Sequence, residues 1–131
     1  MMNVDFLTKN DLVLWDHPRK GWIVIKVTLK ILRTATDSEI KPIDLTPEIL
    51  ENNGFTKRDA IPGVVSWKEW VSKDGRVILT NNPDHINSEN TWSIHVDSKD
   101  MATICTAELS YLHELQHILR HCKIEHEFKK L

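Results

Sequence analysis

Cysteine and glycine are both sparse in this 131-residue chain, with two of the first and four of the second. Cys105 and Cys122 are too few for a disulfide framework and fit a reducing compartment. Both sit among apolar neighbours and resemble small core residues more than activated thiolates. Four unclustered glycines make no phosphate-cradling loop. No apolar run approaches the roughly 20 residues of a membrane span, and Met1 to Leu14 mixes Asp5, Lys9, Asn10 and Asp11 among its apolar residues, unlike a signal peptide. Excess charge is missing too: 17 Lys and Arg against 19 Asp and Glu leave a net −2. No global positive field therefore gathers duplex nucleic acid or an anionic membrane. No Ser-His-Asp set is recognisable from spacing. These absences lead to the expectation of a protein that acts in the cytoplasm where it is made.

What is present is an ordinary globular composition, 40% hydrophobic and 27% charged, of a length that suits one domain over residues 1–131. Leu12 to Trp15 and Trp22 to Arg33 read as two strands around a Pro- and Gly-containing turn. Ile25, Val27, Leu29 and Ile31 alternate with Lys26, Thr28 and Lys30, which predicts one core face and one wet face. Thr46-Pro47-Glu48 is a helix start, with Thr46 as N-cap, Pro47 in the first turn and Glu48 facing the dipole. Asn53-Gly54 stops that helix after about two turns. Asp74-Gly75 predicts a hairpin between strands over 64–72 and 76–80. A second hairpin is expected from 91–97 and 101–105. Thr106 would then cap a long final helix to about Cys122, with Tyr111, Leu112, Leu115, Ile118, Leu119 and Cys122 on its core arc. Ile124 to Leu131 would form a short edge strand. The resulting fold class is α+β: a bent antiparallel sheet of about five or six strands, one short helix, and one long C-terminal helix packed on a face.

His113-Glu114-Leu115-Gln116-His117 matches the His-Glu-x-x-His pattern, which places two zinc ligands and a general base on one turn of helix. Under that reading His113 and His117 are ligands and Glu114 activates the water. The rest of the sequence supplies no obvious third ligand: His121 lies about 12 Å along the helix from His113, and Arg120 and Lys123 stand where a metzincin has Gly and His. His95, Asp97, Glu125, His126 and Glu127 remain open as candidates. The alternative is a solvated histidine stripe on the helix face opposite the core, with no cofactor.

Five tryptophans, Trp15, Trp22, Trp67, Trp70 and Trp92, exceed what a small core usually needs. Trp22, Lys26 and Lys30 share parity on the second predicted strand, so an indole beside two cations would suit a base and its phosphates. Trp67 and Trp70 differ in parity and would face opposite sides, which makes them further candidates for ligand contact.

Lys41-Pro42-Ile43-Asp44-Leu45-Thr46-Pro47-Glu48-Ile49-Leu50-Glu51-Asn52-Asn53-Gly54-Phe55 and Tyr111-Leu112-His113-Glu114-Leu115-Gln116-His117-Ile118-Leu119 resemble a group of small uncharacterised proteins of phages and mobile elements of gut Bacteroidetes. The order of parts is similar too, so the resemblance spans most of the chain. It implies that Gln can stand for Glu114 and Asn for His117, a pairing unsuited to zinc. It also implies a bacterial host cytoplasm and a setting in which counter-defence is a plausible task. The expectation is a non-enzymatic binding protein that sequesters a small nucleotide-like signal or blocks a host protein. A zinc-dependent hydrolase is the first alternative. A structural or assembly protein that forms a homo-oligomer through exposed aromatics is the second.

Overall fold

In the computed structural model, residues 7–34, 39–59, 61, 63, 68–81, 91–97 and 104–129 are described, with 34, 81 and 104–107 described for the backbone alone. The fold is α+β, as the sequence implies, but its strands divide between two antiparallel sheets. The chain forms two compact units, Met1–Asp44 with Tyr111–His117, and Leu45–Ser110 with Ile118–Leu131.

In the first unit, β1 (Leu12–His17) pairs with β2 (Gly21–Lys26) on one side and with β3 (Ile40–Lys41) on the other. Gly21 closes the hairpin at φ +72, a conformation that costs glycine little. The His17 ring helps hold the turn, since Nδ1 accepts from the backbone N–H groups of Arg19 and Lys20 at 3.1 and 3.2 Å. Val13, Ile40, Val27 and Leu7 are buried together on one face, with Trp15, Ile25, Ile31 and Leu32 packed against them.

The strand expected to reach Arg33 ends at Lys26, and α1 (Leu29–Thr34) follows. Val27 exchanges backbone bonds with Asn10 and Asp11 at 2.9 and 2.8 Å. Thr28 then caps the helix through Oγ1, which accepts from Ile31 N at 3.3 Å. Period-two alternation concealed a period of 3.6. Ile31 and Leu32 meet the core one helical turn beyond Val27, while Leu29 is exposed.

The second unit carries a five-stranded meander in the order β4 (Thr56–Asp59), β5 (Lys68–Val71), β6 (Val77–Asn81), β7 (Trp92–Asp97) and β8 (Ile104–Leu109). Trp70, Leu79 and Ile94 line up across β5, β6 and β7 on a buried face. Gly75, at φ +77, turns the β5–β6 hairpin where the Asp-Gly signal placed it. Asp74 Oδ1 accepts from Ser72 Oγ and from Arg76 N, and these bonds, the first above all, hold its carboxyl below the usual carboxylate range. The short helix α2 (Pro47–Asn52) also forms as expected, with Thr46 Oγ1 accepting from Ile49 N at 3.3 Å.

This unit holds one unforeseen strand and overturns two expectations. β4 was unforeseen because its sequence, Thr-Lys-Arg-Asp, has no apolar residue to alternate; all four positions are exposed. Arg58 and Asp59 instead pair across the strands with Glu69 and Lys68. Thr106 is not a helix cap, because β8 continues through it to Leu109 opposite Trp92. The described residues after Ile124, up to Lys129, form no strand: His126 Nε2 donates to Asn53 O at 2.7 Å, Lys129 N donates to Asn53 Oδ1 at 2.8 Å, and the His126 ring packs against both Phe55 and Phe128, which also stack on each other.

The last helix, α3, spans Leu112–His121. Tyr111 precedes it, and its backbone N–H donates to Glu114 Oε1 at 3.0 Å, the return half of a capping box. Leu112, Leu115 and Leu119 are buried, in agreement with the predicted core arc.

Candidate functional site

Two constellations carry chemistry, and both lie within the first unit. The first is the histidine cluster. Gln116 fixes α3 against the start of β1 and the residues just before it: Oε1 accepts from Leu12 N at 2.8 Å, and Nε2 donates to Asn10 O at 3.4 Å. This clamp brings His113 and His117 over Asp11. Asp11 is fully buried, and its carboxylate accepts from Thr8 N at 2.8 Å, from Thr8 Oγ1 at 3.2 Å and from His117 Nε2 at 2.6 Å.

The outward histidine stripe is thereby corrected. His113 is 7% exposed, His117 is partly buried against Asp11, and of the three only His121 is exposed. The buried arc at the start of α3 is wider than the leucines alone indicate. Tyr111 stacks on the His113 ring at 5.9 Å, and the two imidazoles meet edge to face at 5.7 Å. Glu114 aims a carboxylate oxygen at its own helix start, a positioning role unlike that of a base on a metal-bound water. Among the described residues, no group of three or more His, Cys, Asp or Glu side chains is arranged to hold a metal ion.

His113 Nδ1 is buried without a hydrogen-bond partner. Burial also pushes the His113 pKa below the ordinary imidazole value, against the opposing pull of the Glu114 and Asp11 carboxylates and with a smaller contribution from His117. The unfolded chain, whose His titrates near 6.5, binds the proton first as pH falls. Stability contributed by neutral His113 is therefore complete above about pH 6.5 and declines below it, towards the lower folded pKa. Urea midpoints measured from pH 7.5 to 5 should fall for the native chain and fall less for His113→Phe. Parallel curves would show that His113 does not set the slope.

The second constellation is the open face of the β2-β1-β3 sheet. Trp22, Val24 and Lys26 share a face of β2, and Leu14 and Asp16 of β1 lie opposite Val24 and Trp22. Trp22 is 42% exposed and Val24 44%. Lys41, beside Leu14 on β3, holds its ammonium 4.2 Å from the centre of the Trp22 ring.

The structure keeps Trp22 and Lys26 on one face of β2 and separates them from Lys30, which lies on α1. Sequence reasoning missed Lys41, because only the pairing of a two-residue strand brings it to Trp22. Trp70 is not a surface residue. It is 4% exposed, meets Trp92 edge to face at 5.0 Å, and leaves its Nε1 buried without a partner. Trp67 lies outside the described residues. Asp11 and Gln116 were also missed as members of the histidine cluster; the spacing from 11 to 116 carries no local signal. Comparison with protein-family profiles, curated proteins and solved structures gives no match for this chain.

Proposed function

We propose that this chain is a non-enzymatic binding protein that holds a planar, anionic, nucleotide-like ligand on the open face of the β2-β1-β3 sheet. The observation that carries the reading is the exposed Trp22 indole with the Lys41 ammonium 4.2 Å from its ring centre. An exposed indole offers a stacking platform for a base, the adjacent Lys41 ammonium offers charge to its phosphates, and Lys26 adds a second cation further along the same strand face. Asp16, opposite Trp22, would repel an anion at that end and favour phosphates displaced towards Lys41 and Lys26. The engagement of Glu114 by the helix start and of His117 by Asp11 favours binding over hydrolysis. Phage or mobile-element origin, and counter-defence by sequestering a host signal, rest on the resemblance carried by the Pro-Ile-Asp-Leu-Thr and His-Glu-Leu-Gln segments.

ADP and a cyclic dinucleotide are suitable probes, titrated by calorimetry and recovered for mass analysis. At least one should bind saturably and return unchanged. Trp22→Ala should weaken binding roughly tenfold or more, as expected when a stacked base loses its platform. Lys41→Ala should weaken it less and reduce its dependence on salt. An unaltered affinity in Trp22→Ala would remove this face as the site, and a chemically altered probe would overturn the non-enzymatic reading.

A further inference from the structure

The outer edge of β2 is a second feature of this small sheet and borders its open face. Among the described residues β2 pairs with β1 alone. Val27 N donates to Asp11 O, and hydrogen-bonded positions alternate along an antiparallel pair. The backbone N–H and C=O groups of Ile23 and Ile25 therefore face β1, and those of Trp22, Val24 and Lys26 face outward. The strand reads Gly-Trp-Ile-Val-Ile-Lys, with no proline and no charge before Lys26. Such an edge is a template for another strand unless charge, proline or a bulge blunts it. The edge strand β4 shows the contrast, since Lys57, Arg58 and Asp59 stand in its short run.

We propose that β2 pairs antiparallel with β2 of a second copy of this chain about a two-fold axis at Val24, joining two three-stranded sheets into one. The sequence selects the occupant because the strand is complementary to itself in this register. Val24 meets Val24 of the second copy, Ile23 meets Ile25, and Trp22 meets Lys26. The outward backbone groups of Trp22, Val24 and Lys26 then find one another. Each ammonium lies opposite an indole instead of another ammonium, repeating between copies the contact that Lys41 makes with Trp22 inside one chain. Sliding the strands by two residues in either direction loses this indole–ammonium opposition and leaves outward backbone groups unpaired. The contact is isologous, so it closes at two copies and does not propagate.

The inference does not depend on a ligand, and its test uses the untagged full chain alone in sedimentation velocity from about 1 to 100 μM. The native chain should sediment as a dimer at the upper end of this range. Val24→Pro removes an outward N–H and Val24→Lys places like charges on the axis, so both should sediment as monomers with an unchanged far-ultraviolet spectrum. Should Val24→Pro fail to fold, Val24→Lys carries the test, because the site is half exposed and tolerates a long polar side chain. Oxidised Val24→Cys should give a covalent dimer linked at the substituted position, reporting the register. A native chain that stays monomeric throughout, or a dimer that survives Val24→Lys, overturns the proposal.

Discussion

Trp92→Ala is expected to lower the unfolding free energy by about 4 kcal/mol, the range typical of a large buried aromatic replaced by a methyl group. The indole is 1% exposed, contacts Trp70 edge to face at 5.0 Å, and donates from Nε1 to Leu45 O at 2.8 Å. Truncation thus removes three contributions together: apolar burial, the aromatic pair and a buried hydrogen bond. Trp92→Phe separates them. It keeps a ring against Trp70 but strands the Leu45 carbonyl, and should cost roughly 1–3 kcal/mol. Urea unfolding followed by circular dichroism checks both variants. Equal losses would show that the hydrogen bond, not the packed ring, dominates. A loss below about 1 kcal/mol for Trp92→Ala would contradict its placement in the core. Because small domains have only about 5–15 kcal/mol in total, the alanine variant should also lose much of its resistance to proteolysis.

The second large effect is at Asp11. Its carboxylate is removed from solvent and is held by Thr8 N, Thr8 Oγ1 and His117 Nε2. Asp11→Ala removes the buried acceptor that these three groups share and should cost roughly 3 kcal/mol, the upper range for leaving buried hydrogen-bonding groups unsatisfied. Asp11→Asn retains an acceptor oxygen of similar shape and should recover part of the loss. His117→Ala removes one partner and should be milder than Asp11→Ala. A double-mutant cycle between Asp11 and His117 isolates their coupling. A coupling indistinguishable from zero would reduce this contact to coincidental proximity.

The readable elements are those whose signal is local. Thr46, Pro47 and Gly54 each act within a few residues of themselves, so α2 and its termination could be inferred from neighbours. Asp74-Gly75 likewise demands a turn whatever surrounds it. β4 shows the reverse: Thr-Lys-Arg-Asp has no strand pattern, yet the edge position of the strand lets Arg58 and Asp59 find Glu69 and Lys68 opposite them. The limits of β2 and α1 were hidden because Val27 and Ile31 satisfy alternation and helical spacing alike. Thr28 resolves the ambiguity, but only once Val27 has closed the pairing with Asn10 and Asp11.

The candidate sites divide along the same line. Sequence alone placed Trp22 and Lys26 on one strand face and His113 and His117 one helical turn apart, because backbone periodicity fixes both relations. It also determined the α+β class, through a chain of short strand signals followed by one long amphipathic helical pattern. Only tertiary structure decided that Lys41, not Lys30, faces Trp22, since strand pairing sets neighbours that sequence distance does not record. Tertiary structure likewise turned His113 inward, withdrew Trp70 into the core and set Asp11 beneath His117, across an interval of 106 residues. The physical reason is that burial and partner choice are properties of the packed whole: a histidine, a lysine or a tryptophan carries the same chemistry anywhere, and its surroundings determine which part is used.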